Sequence, residues 1–486
     1  MGCLTDLPDE ILERISLLLS ETGRRPLQNL RLVNKRFSEI IFPLLVRQWS
    51  NSQQEPPVER LALHLLRHPE LRSQVRSLDF QYLRPFHEHN PALTGLRSEN
   101  LALLAEAALQ DVVLPSGHLM TLCEQIRQGC EDAIAVLILA WATRLSYLDI
   151  TTPTFCPRFR EEFMVLIFVR EAVCRLNARD VEPAESLPLG EVRHVVLQHW
   201  YTEHKIDVRY ATTFFQLPKI KTFTGYRLCD ESSDEIIFSS LDESQAGRVP
   251  LSVVRNNYTL PSPLHKSTVE DIVFIESKVS AATLMALTST CRKLRKLNLH
   301  LGYDLIEGDP PDRDEMAQIL IRNAESLESL DLMMEPRDFI FDSHAIIPNG
   351  RPTLEEVYQK LSQITSLGIS MIDLFEITSP GDYNIVLERL PKNIKYFKAR
   401  CLSFINHWVS NDVFVEPYLE GFIELLEEAG PQGRFRNLKT LDLSEAFVDD
   451  SNMVDISRIK ALAKSHNVKL LLDEGRGVRS RCSGVP

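Results

Sequence analysis

At 486 residues the chain is too long for one compact core, so we expect two or three domains or one elongated repeat domain. Hydrophobic residues make up 44% of it and charged residues 25%, which is typical of a soluble globular protein. The net charge of -13 argues against nucleic acid as the main partner, because binding phosphate needs a basic surface.

The first predicted element is a helix close to the amino terminus. Thr5 and Asp6 are suitable N-cap residues, and Pro8 fits a first helical turn because its missing N–H is not needed there. Apolar residues then recur at three- and four-residue spacing, which predicts about three helical turns with a broad apolar face. These residues are Leu7, Ile11, Leu12, Ile15, Leu18 and Leu19.

A segment with glycine and proline, residues 21–26, separates this helix from a second run of helical spacing. The apolar residues of the second run are Leu27, Leu30, Val33, Phe37, Ile40 and Ile41. Pro43 ends or kinks the helix. The two runs predict a helical hairpin of roughly forty residues, which buries too little surface to be stable alone and therefore needs a partner for its apolar face.

The same segment resembles an F-box. Leu4, Leu7-Pro8 and Glu10-Ile11-Leu12 match the opening of that motif, and Ile15 with Leu18-Leu19 matches its middle. Its closing segment is matched by Leu30-Arg31-Leu32-Val33-Asn34-Lys35-Arg36-Phe37. Asn34 departs from the motif, in which Cys or Ser is commoner, and the loop around Gly23 is slightly long.

The resemblance implies that the hairpin binds a Skp-type adaptor, which links it to a cullin–RING ubiquitin ligase. It assigns adaptor binding to Leu4, Leu7, Pro8, Ile11, Leu12, Ile15, Leu30, Val33 and Phe37. An apolar surface left open on a small helical module is itself a sign of a binding site.

From residue 75 onward one phrase recurs: an apolar residue, two variable residues, an apolar residue, one variable residue and a third apolar residue. Complete copies begin at Val75, Leu145, Val192, Val269, Leu294, Leu327, Ile364, Ile394 and Leu438, and a partial copy begins at Ile220. Each copy predicts a short strand with one buried side. Helices are predicted between copies, for example at 281–291, 316–324 and 418–429.

Two further stretches are predicted to be helical. Residues 98–138 are expected to form helices without a strand, and the apolar runs 133–141 and 163–169 are expected to be buried helices. Both runs fall short of the roughly twenty residues that cross a bilayer, so no membrane partner is expected.

Strand, loop and helix in repetition are typical of a solenoid, and the phrase resembles a degenerate leucine-rich repeat. The copies are about 25 to about 70 residues apart, and the closing Asn of that repeat is mostly absent. The predicted fold class is α/β, with a small all-α F-box hairpin or bundle followed by an irregular leucine-rich-repeat-like solenoid. An unrelated α/β domain whose strands start with the same phrase is the alternative.

The predicted domains are an F-box domain at 1–48, a linker and helix at 49–74, a repeat body that binds substrate at 75–473 and a disordered tail at 474–486. The tail lacks helical or strand periodicity.

No catalytic or metal motif is recognisable in the sequence. The histidine pairs His87/His89 and His199/His204 lack neighbouring cysteines or carboxylates at metal-binding spacing. The 9 cysteines are scattered and form no C-x-x-C pair, which favours reduced thiols and a cytoplasmic or nuclear protein. We expect no cofactor, no metal and no enzymatic activity.

The sequence therefore predicts the substrate-recognition subunit of a Skp–cullin–F-box ubiquitin ligase, with a protein substrate of unknown identity. A non-catalytic scaffold that uses the adaptor outside a ligase is the alternative. A phosphorylated target would need a basic cluster, for which Lys219, Lys221 and Arg227, or Arg292, Lys293, Arg295 and Lys296, are candidates. Solvated edges of strands and helices are the other interpretation of these residues.

Overall fold

The structure is a computed structural model that describes residues 7–21, 24–51, 57–84, 97–152, 163–178, 187–199, 206–229, 267–301, 313–334, 354–370, 375–379, 382–385, 387–400, 412–446 and 456–472. Leu4, the predicted tail and the histidines His87, His89 and His204 lie outside these ranges. The fold is mixed α/β with parallel strands. The chain divides into two compact units, Met1–Arg227 with Glu235–Val269, and Leu228–Asp234 with Glu270–Pro486.

Unit 1 opens with three helices, α1 (Asp9–Glu21), α2 (Arg24–Arg31) and α3 (Lys35–Ile41), and a 3-10 helix at Phe42–Val46. The predicted second helix is therefore two helices. Asn34 explains the break, because its backbone is extended and its side-chain oxygen accepts a hydrogen bond of 2.8 Å from the backbone N–H of Phe37. Asparagine satisfies a free N–H in this way at the start of a helix rather than inside one.

The rest of unit 1 alternates strands with helices. In chain order these are β1 (Gln48–Ser50), α4 (Val58–Arg67), a 3-10 helix (Pro69–Gln74), β2 (Ser77–Phe80), α5 (Ser98–Asp111), α6 (Ser116–Gln128), α7 (Glu131–Trp141), β3 (Tyr147–Thr152), α8 (Met164–Asn177), β4 (His194–His199), β5 (Ile206–Asp207), α9 (Arg209–Phe214) and β6 (Thr222–Tyr226). The strands β1, β2, β3, β4 and β6 are neighbours in that order and pair in parallel. The helical prediction for 98–138 is confirmed.

Unit 2 follows the same alternation. Its elements are β7 (Leu228–Cys229), β8 (Asp271–Ser277), α10 (Ala281–Thr290), β9 (Lys296–Leu301), α11 (Arg313–Asn323), β10 (Ser329–Met334), α12 (Leu354–Lys360), β11 (Ser366–Ser370), β12 (Phe375–Ser379), β13 (Asp382–Ile385), a 3-10 helix (Leu387–Arg389), β14 (Tyr396–Arg400), α13 (Asp412–Glu427), β15 (Thr440–Glu445), α14 (Ser457–Ser465) and β16 (Lys469–Leu471). The strands β8, β9, β10, β11, β14, β15 and β16 pair in parallel in that order, and β12 and β13 form a separate antiparallel pair.

The recurring apolar phrase forms the buried side of these strands. Each complete copy coincides with a strand, as predicted, and its three apolar residues are at most 5% exposed. The middle residues of successive copies are register partners on adjacent strands, as in Leu297, Leu330 and Leu367. Alternate residues point to the opposite side, which we call the outer sheet face.

The entries to most of the parallel strands repeat one hydrogen-bond arrangement. The carbonyl of Arg295 accepts bonds from the backbone N–H groups of Glu328 and Ser329 at 2.8 and 3.0 Å. The carbonyl of Thr365 accepts in the same way from Lys395 and Tyr396, at 2.7 and 3.0 Å. Because each strand is fixed at the same point against its predecessor, the buried residues stay in register.

The predicted buried helices are also present. Every residue of α7 is buried, including Asp132, whose carboxylate accepts hydrogen bonds of 2.7 and 3.0 Å from the backbone N–H groups of Met164 and Val165. Burial raises the pKa of Asp132 to about 7, although those two bonds favour the charged form. Asp132 therefore ties the first turn of α8 to α7.

Candidate functional site

The N-terminal helices enclose a small core of their own. It consists of Leu12, Leu27, Phe37, Ile41, Leu44 and Leu45, all at most 8% exposed. Leu7, Leu17, Leu19, Leu30 and Ile40 are partly buried and pack against it. We call α1, α2, α3 and the following 3-10 helix the N-terminal bundle.

The bundle also presents apolar side chains to solvent. Ile11, Ile15 and Leu18 follow one another on α1 at four- and three-residue spacing, and Pro8, just before the helix, precedes Ile11 by three residues. The four share one side of the helix, which we call the α1 stripe. Ile11 is 44% exposed and Leu18 is 60% exposed. A surface of this kind on a small helical module favours a protein-binding role.

A second pair of apolar side chains is exposed where α2 ends. Leu32 is 84% exposed and Val33 is 61% exposed. Both precede Asn34, which caps α3, so the break between the helices holds them outside the core. We call Leu32 and Val33 the turn pair.

Arg36 holds the start of α1 in place. Its guanidinium donates hydrogen bonds of 2.7 Å to the carbonyl of Leu7 and 2.7 Å to the carboxylate of Asp9. These bonds join α3 to the first turn of α1, where Asp9 also suits the positive end of the helix dipole. The orientation of the α1 stripe on the bundle is therefore fixed by a polar contact as well as by the core.

The residues predicted to bind an adaptor fall into three groups. Pro8, Ile11 and Val33 are exposed. Leu7, Ile15 and Leu30 are partly buried, and Leu12 and Phe37 are at most 1% exposed inside the core. Leu4 lies outside the described residues. The side chains of Leu12 and Phe37 therefore hold the bundle together and offer no contact surface.

Leu18 and Leu32 are exposed, although neither is among the predicted contacts. The signal for Leu18 is its spacing, since it lies seven residues after Ile11 and so on the same side of the helix. Leu32 has no such signal, because its exposure depends on the break at Asn34.

The outer sheet face of unit 2 carries a charged cluster that spacing does not reveal. The Arg400 side chain is 3% exposed and its guanidinium binds both carboxylate oxygens of Asp331, with one of the two hydrogen bonds at 2.9 Å. It also donates to Glu445 at 2.8 Å, and it lies 3.4 Å from Nε2 of His300. Burial opposes the charge on Asp331, but the bonds from Arg400 and His300 outweigh it and hold the pKa of that carboxyl well below its usual range.

Gly368 makes this arrangement possible. It pairs with Asp331 between β10 and β11, and a Cβ atom there would clash with the Asp331 carboxylate and lie 3.1 Å from Nη1 of Arg400. Arg400 on β14 reaches Asp331 on β10 across the intervening strand, and only a glycine leaves room for it.

The outer sheet face of unit 1 carries two neighbouring aspartates instead of an arginine paired with carboxylates. Asp79 on β2 pairs with Asp149 on β3, and no Lys or Arg of the described residues lies within 4.0 Å of either carboxylate. Asp149 accepts hydrogen bonds from Gln198 at 2.9 Å and Tyr147 at 3.4 Å, and Asp79 accepts one from Ser50 at 2.6 Å. Burial, followed by the charge of Asp79, raises the pKa of Asp149 to about 7. Burial also raises the pKa of Asp79.

The candidate basic clusters consist largely of paired side chains. Lys219 contacts Glu191 at 2.5 Å, Arg295 contacts Glu328 at 2.7 Å, and Lys296 contacts Asp271 at 3.3 Å. These contacts favour the interpretation of solvated strand edges over a phosphate site.

Neither a metal site nor a membrane-spanning helix is present among the described residues. Within the described ranges, no three His, Cys, Asp or Glu side chains lie together as a metal site requires. In the same ranges, no helix has the length and apolar character needed to cross a membrane.

Comparison of the sequence with models of known protein families gives no match, and comparison with curated proteins gives none either.

The first prediction separates the two sides of α1. Leu12→Ala should destabilise the bundle by about 2–5 kcal/mol, because it leaves a cavity in the core. Ile11→Asn and Leu18→Asn should each cost about 1 kcal/mol or less, since both side chains are exposed and no core cavity is left. Urea unfolding of the full chain, followed by hydrogen exchange in α1, measures the difference. Equal losses for all three variants would contradict the assignment of core and stripe.

The second prediction concerns pH. The Asp149 carboxyl keeps its proton up to about pH 7 when folded but loses it near pH 4 when unfolded, so its contribution to stability falls as pH rises between those values. Asp149→Asn should therefore stabilise the protein at pH 8 by about 1–3 kcal/mol and have little effect near pH 4.

Asp442→Asn is the matched control, because the folded pKa of Asp442 is lowered by bonds from Ser444 and Tyr396 that outweigh burial. Asp442 therefore stabilises the fold above pH 4, and its loss should lower stability at pH 8. Thermal unfolding across pH 4–8 measures both variants. An effect of Asp149→Asn that does not change with pH would contradict the pKa assignment.

Proposed function

We propose that this chain is the substrate-recognition subunit of a Skp–cullin–F-box ubiquitin ligase. In this proposal the N-terminal bundle is an F-box that binds a Skp-type adaptor, and the rest is an irregular leucine-rich-repeat-like solenoid that binds the target. The observation that carries the proposal is the solvent exposure of the α1 stripe and the turn pair on a bundle whose own core is already filled.

The energetics support a docking role for these side chains. Moving a Leu or Ile side chain from water into an interface is worth roughly 1.5–3 kcal/mol when burial is complete. Ile11, Leu18 and Leu32 are each 44% exposed or more, so a partner that covers them gains a substantial part of that energy. The exposed parts of these side chains do not stabilise the fold. A partner that covers them is therefore the simplest explanation for their exposure.

The body of the chain supports the second half of the proposal. Within each unit, parallel strands follow one another in chain order and bury the same apolar phrase, as stacked repeats do. Their outer sheet faces carry fixed polar groups, including Arg400 with Asp331 in unit 2 and Asp149 with Gln198 in unit 1. Polar groups held in place by neighbouring strands suit selective recognition of a protein surface.

The proposed mechanism is one of proximity. The chain would hold a target at one site and the adaptor at another, which raises the effective concentration of target lysines near the catalytic subunits. Bond formation to ubiquitin would then be carried out by those subunits.

The third prediction tests the adaptor interface. The full chain is co-expressed with a Skp-type adaptor, and adaptor recovery is compared for the wild type and for Ile11→Asp with Leu18→Asp. Each contact should contribute about 1–4 kcal/mol if it anchors the interface, so the double variant should bind the adaptor at least tenfold more weakly.

Glu13→Ala provides the control, since its side chain is exposed on α1 but lies outside the stripe. This variant should retain adaptor binding. Equal adaptor recovery from the stripe variant and the wild type would contradict the proposed interface. If adaptor is recovered from cells together with a cullin, the ligase is favoured; adaptor without cullin would favour the scaffold.

A further inference from the structure

Unit 1 contains a cavity of about 180 Å³ that the proposed function does not use. Six of the nine described residues that line it are apolar, and five of these come from the end of α7, from α8 and from the turn that precedes β4: Ala140, Phe168, Ala172, Leu187 and Pro188. Drug-sized ligands occupy pockets of roughly 300–1,000 Å³. This cavity is smaller, so it suits one branched or aromatic group and not a whole cofactor.

The charged residues of the described wall lie on α8 and at the end of α5. Phe168, Ala172 and Arg175 are spaced by four and three residues, so they share one side of α8, and all three line the cavity. Asp111 lines it from the end of α5. Of the described residues that line the cavity, one is therefore a cation and one a carboxylate.

The carboxylate of Asp111 already has partners. It accepts a hydrogen bond of 2.6 Å from the indole N–H of Trp141 and one of 3.1 Å from the guanidinium of Arg72. The Arg72 guanidinium also lies 4.0 Å from the centre of the Trp141 ring, which fixes it over that side chain. The charge of Asp111 is thus compensated inside unit 1.

Arg175 differs from Asp111 in this respect. In the part of the chain that the structure describes, no carboxylate lies within 4.0 Å of its guanidinium. Among the described lining residues, the charge without an ionic partner is therefore the positive one of Arg175, next to Phe168 and Ala172 on the same side of α8. A guanidinium in such a place binds a carboxylate through paired hydrogen bonds.

The turn that closes one side of the cavity has a fixed and unusual shape. Leu187 and Pro188 line the wall, and Leu189, which follows them, is fully buried with φ of 66°. A leucine in this left-handed region is strained, and such strain persists only where the surroundings hold it, often beside a ligand site. The buried surroundings of Leu189 therefore hold the backbone that directly follows the lining residues Leu187 and Pro188.

We infer that this cavity binds a carboxylate that carries an apolar group of about the size of a leucine or phenylalanine side chain. The carboxylate would lie against Arg175 and the apolar group against Phe168 and Ala172. Two sources offer this chemistry: the last residue of a polypeptide chain, and a free small carboxylic acid. The inference does not depend on the proposed role in ubiquitin transfer.

Calorimetry on the full chain tests this inference with three probes. They are an octapeptide that ends in leucine, the same peptide with an amidated terminus, and 4-methylpentanoic acid, which has the side chain and carboxylate of leucine without the amine. The free peptide or the acid should bind, and the amidated peptide should bind at least about tenfold more weakly because it lacks the charged bonds to Arg175. Binding of the acid as tight as that of the peptide identifies a small acid, and binding of the peptide alone identifies a chain terminus.

Variants make the test specific to the cavity. Arg175→Gln should weaken binding at least about tenfold, and Ala172→Phe should abolish it by filling the space. Arg127→Gln, on the exposed side of α6, should leave binding unchanged. Because Arg175 is partly solvated, its substitution should keep the thermal unfolding temperature, so the result stays interpretable even if Ala172→Phe does not fold. Failure of all probes to bind, equal binding of the amidated peptide, or binding unaffected by Arg175→Gln would overturn the inference.

Discussion

Burial of one recurring apolar phrase is the constraint on which the described structure depends. A strand with a single helix cannot cover its own apolar side, so each strand depends on its neighbours for burial. The carbonyl shared at most strand entries, such as that of Arg295, fixes the register that this burial needs. With one side of the strands committed to the core, the outer sheet faces are free to carry Asp149 in unit 1 and Arg400 in unit 2.

The N-terminal bundle shows a different balance. Its core is complete with Leu12 and Phe37, yet Ile11 and Leu18 remain in solvent on the same helix as Leu12. Apolar residues on two sides of one short helix are not needed for folding, and they add surface that favours association. This contrast between a finished core and an uncovered stripe is the physical basis of the proposed docking role.

Much of the fold follows from sequence spacing. Period-two burial in the phrase and the spacing of residues 98–138 predict strands and helices that the structure contains, because local periodicity reflects which side is buried. The break at Asn34 is missed because capping depends on a single residue. Spacing also does not show which residues of a broad apolar helix face are buried, such as Leu12, and which are exposed, such as Ile11. Contacts such as Arg400 with Asp331, 69 residues apart, depend on strand order and on Gly368 between them, so no local pattern contains them.

Hydrogen exchange of the full chain, with and without a Skp-type adaptor, tests the docking claim most directly. The account predicts that adaptor slows exchange in α1 and around the turn pair, because their side chains become covered, while β9, β10 and β11 of unit 2 exchange as before. Slower exchange confined to unit 2, or unchanged exchange in α1 when the adaptor is bound, would contradict the assignment of the N-terminal bundle as the docking site.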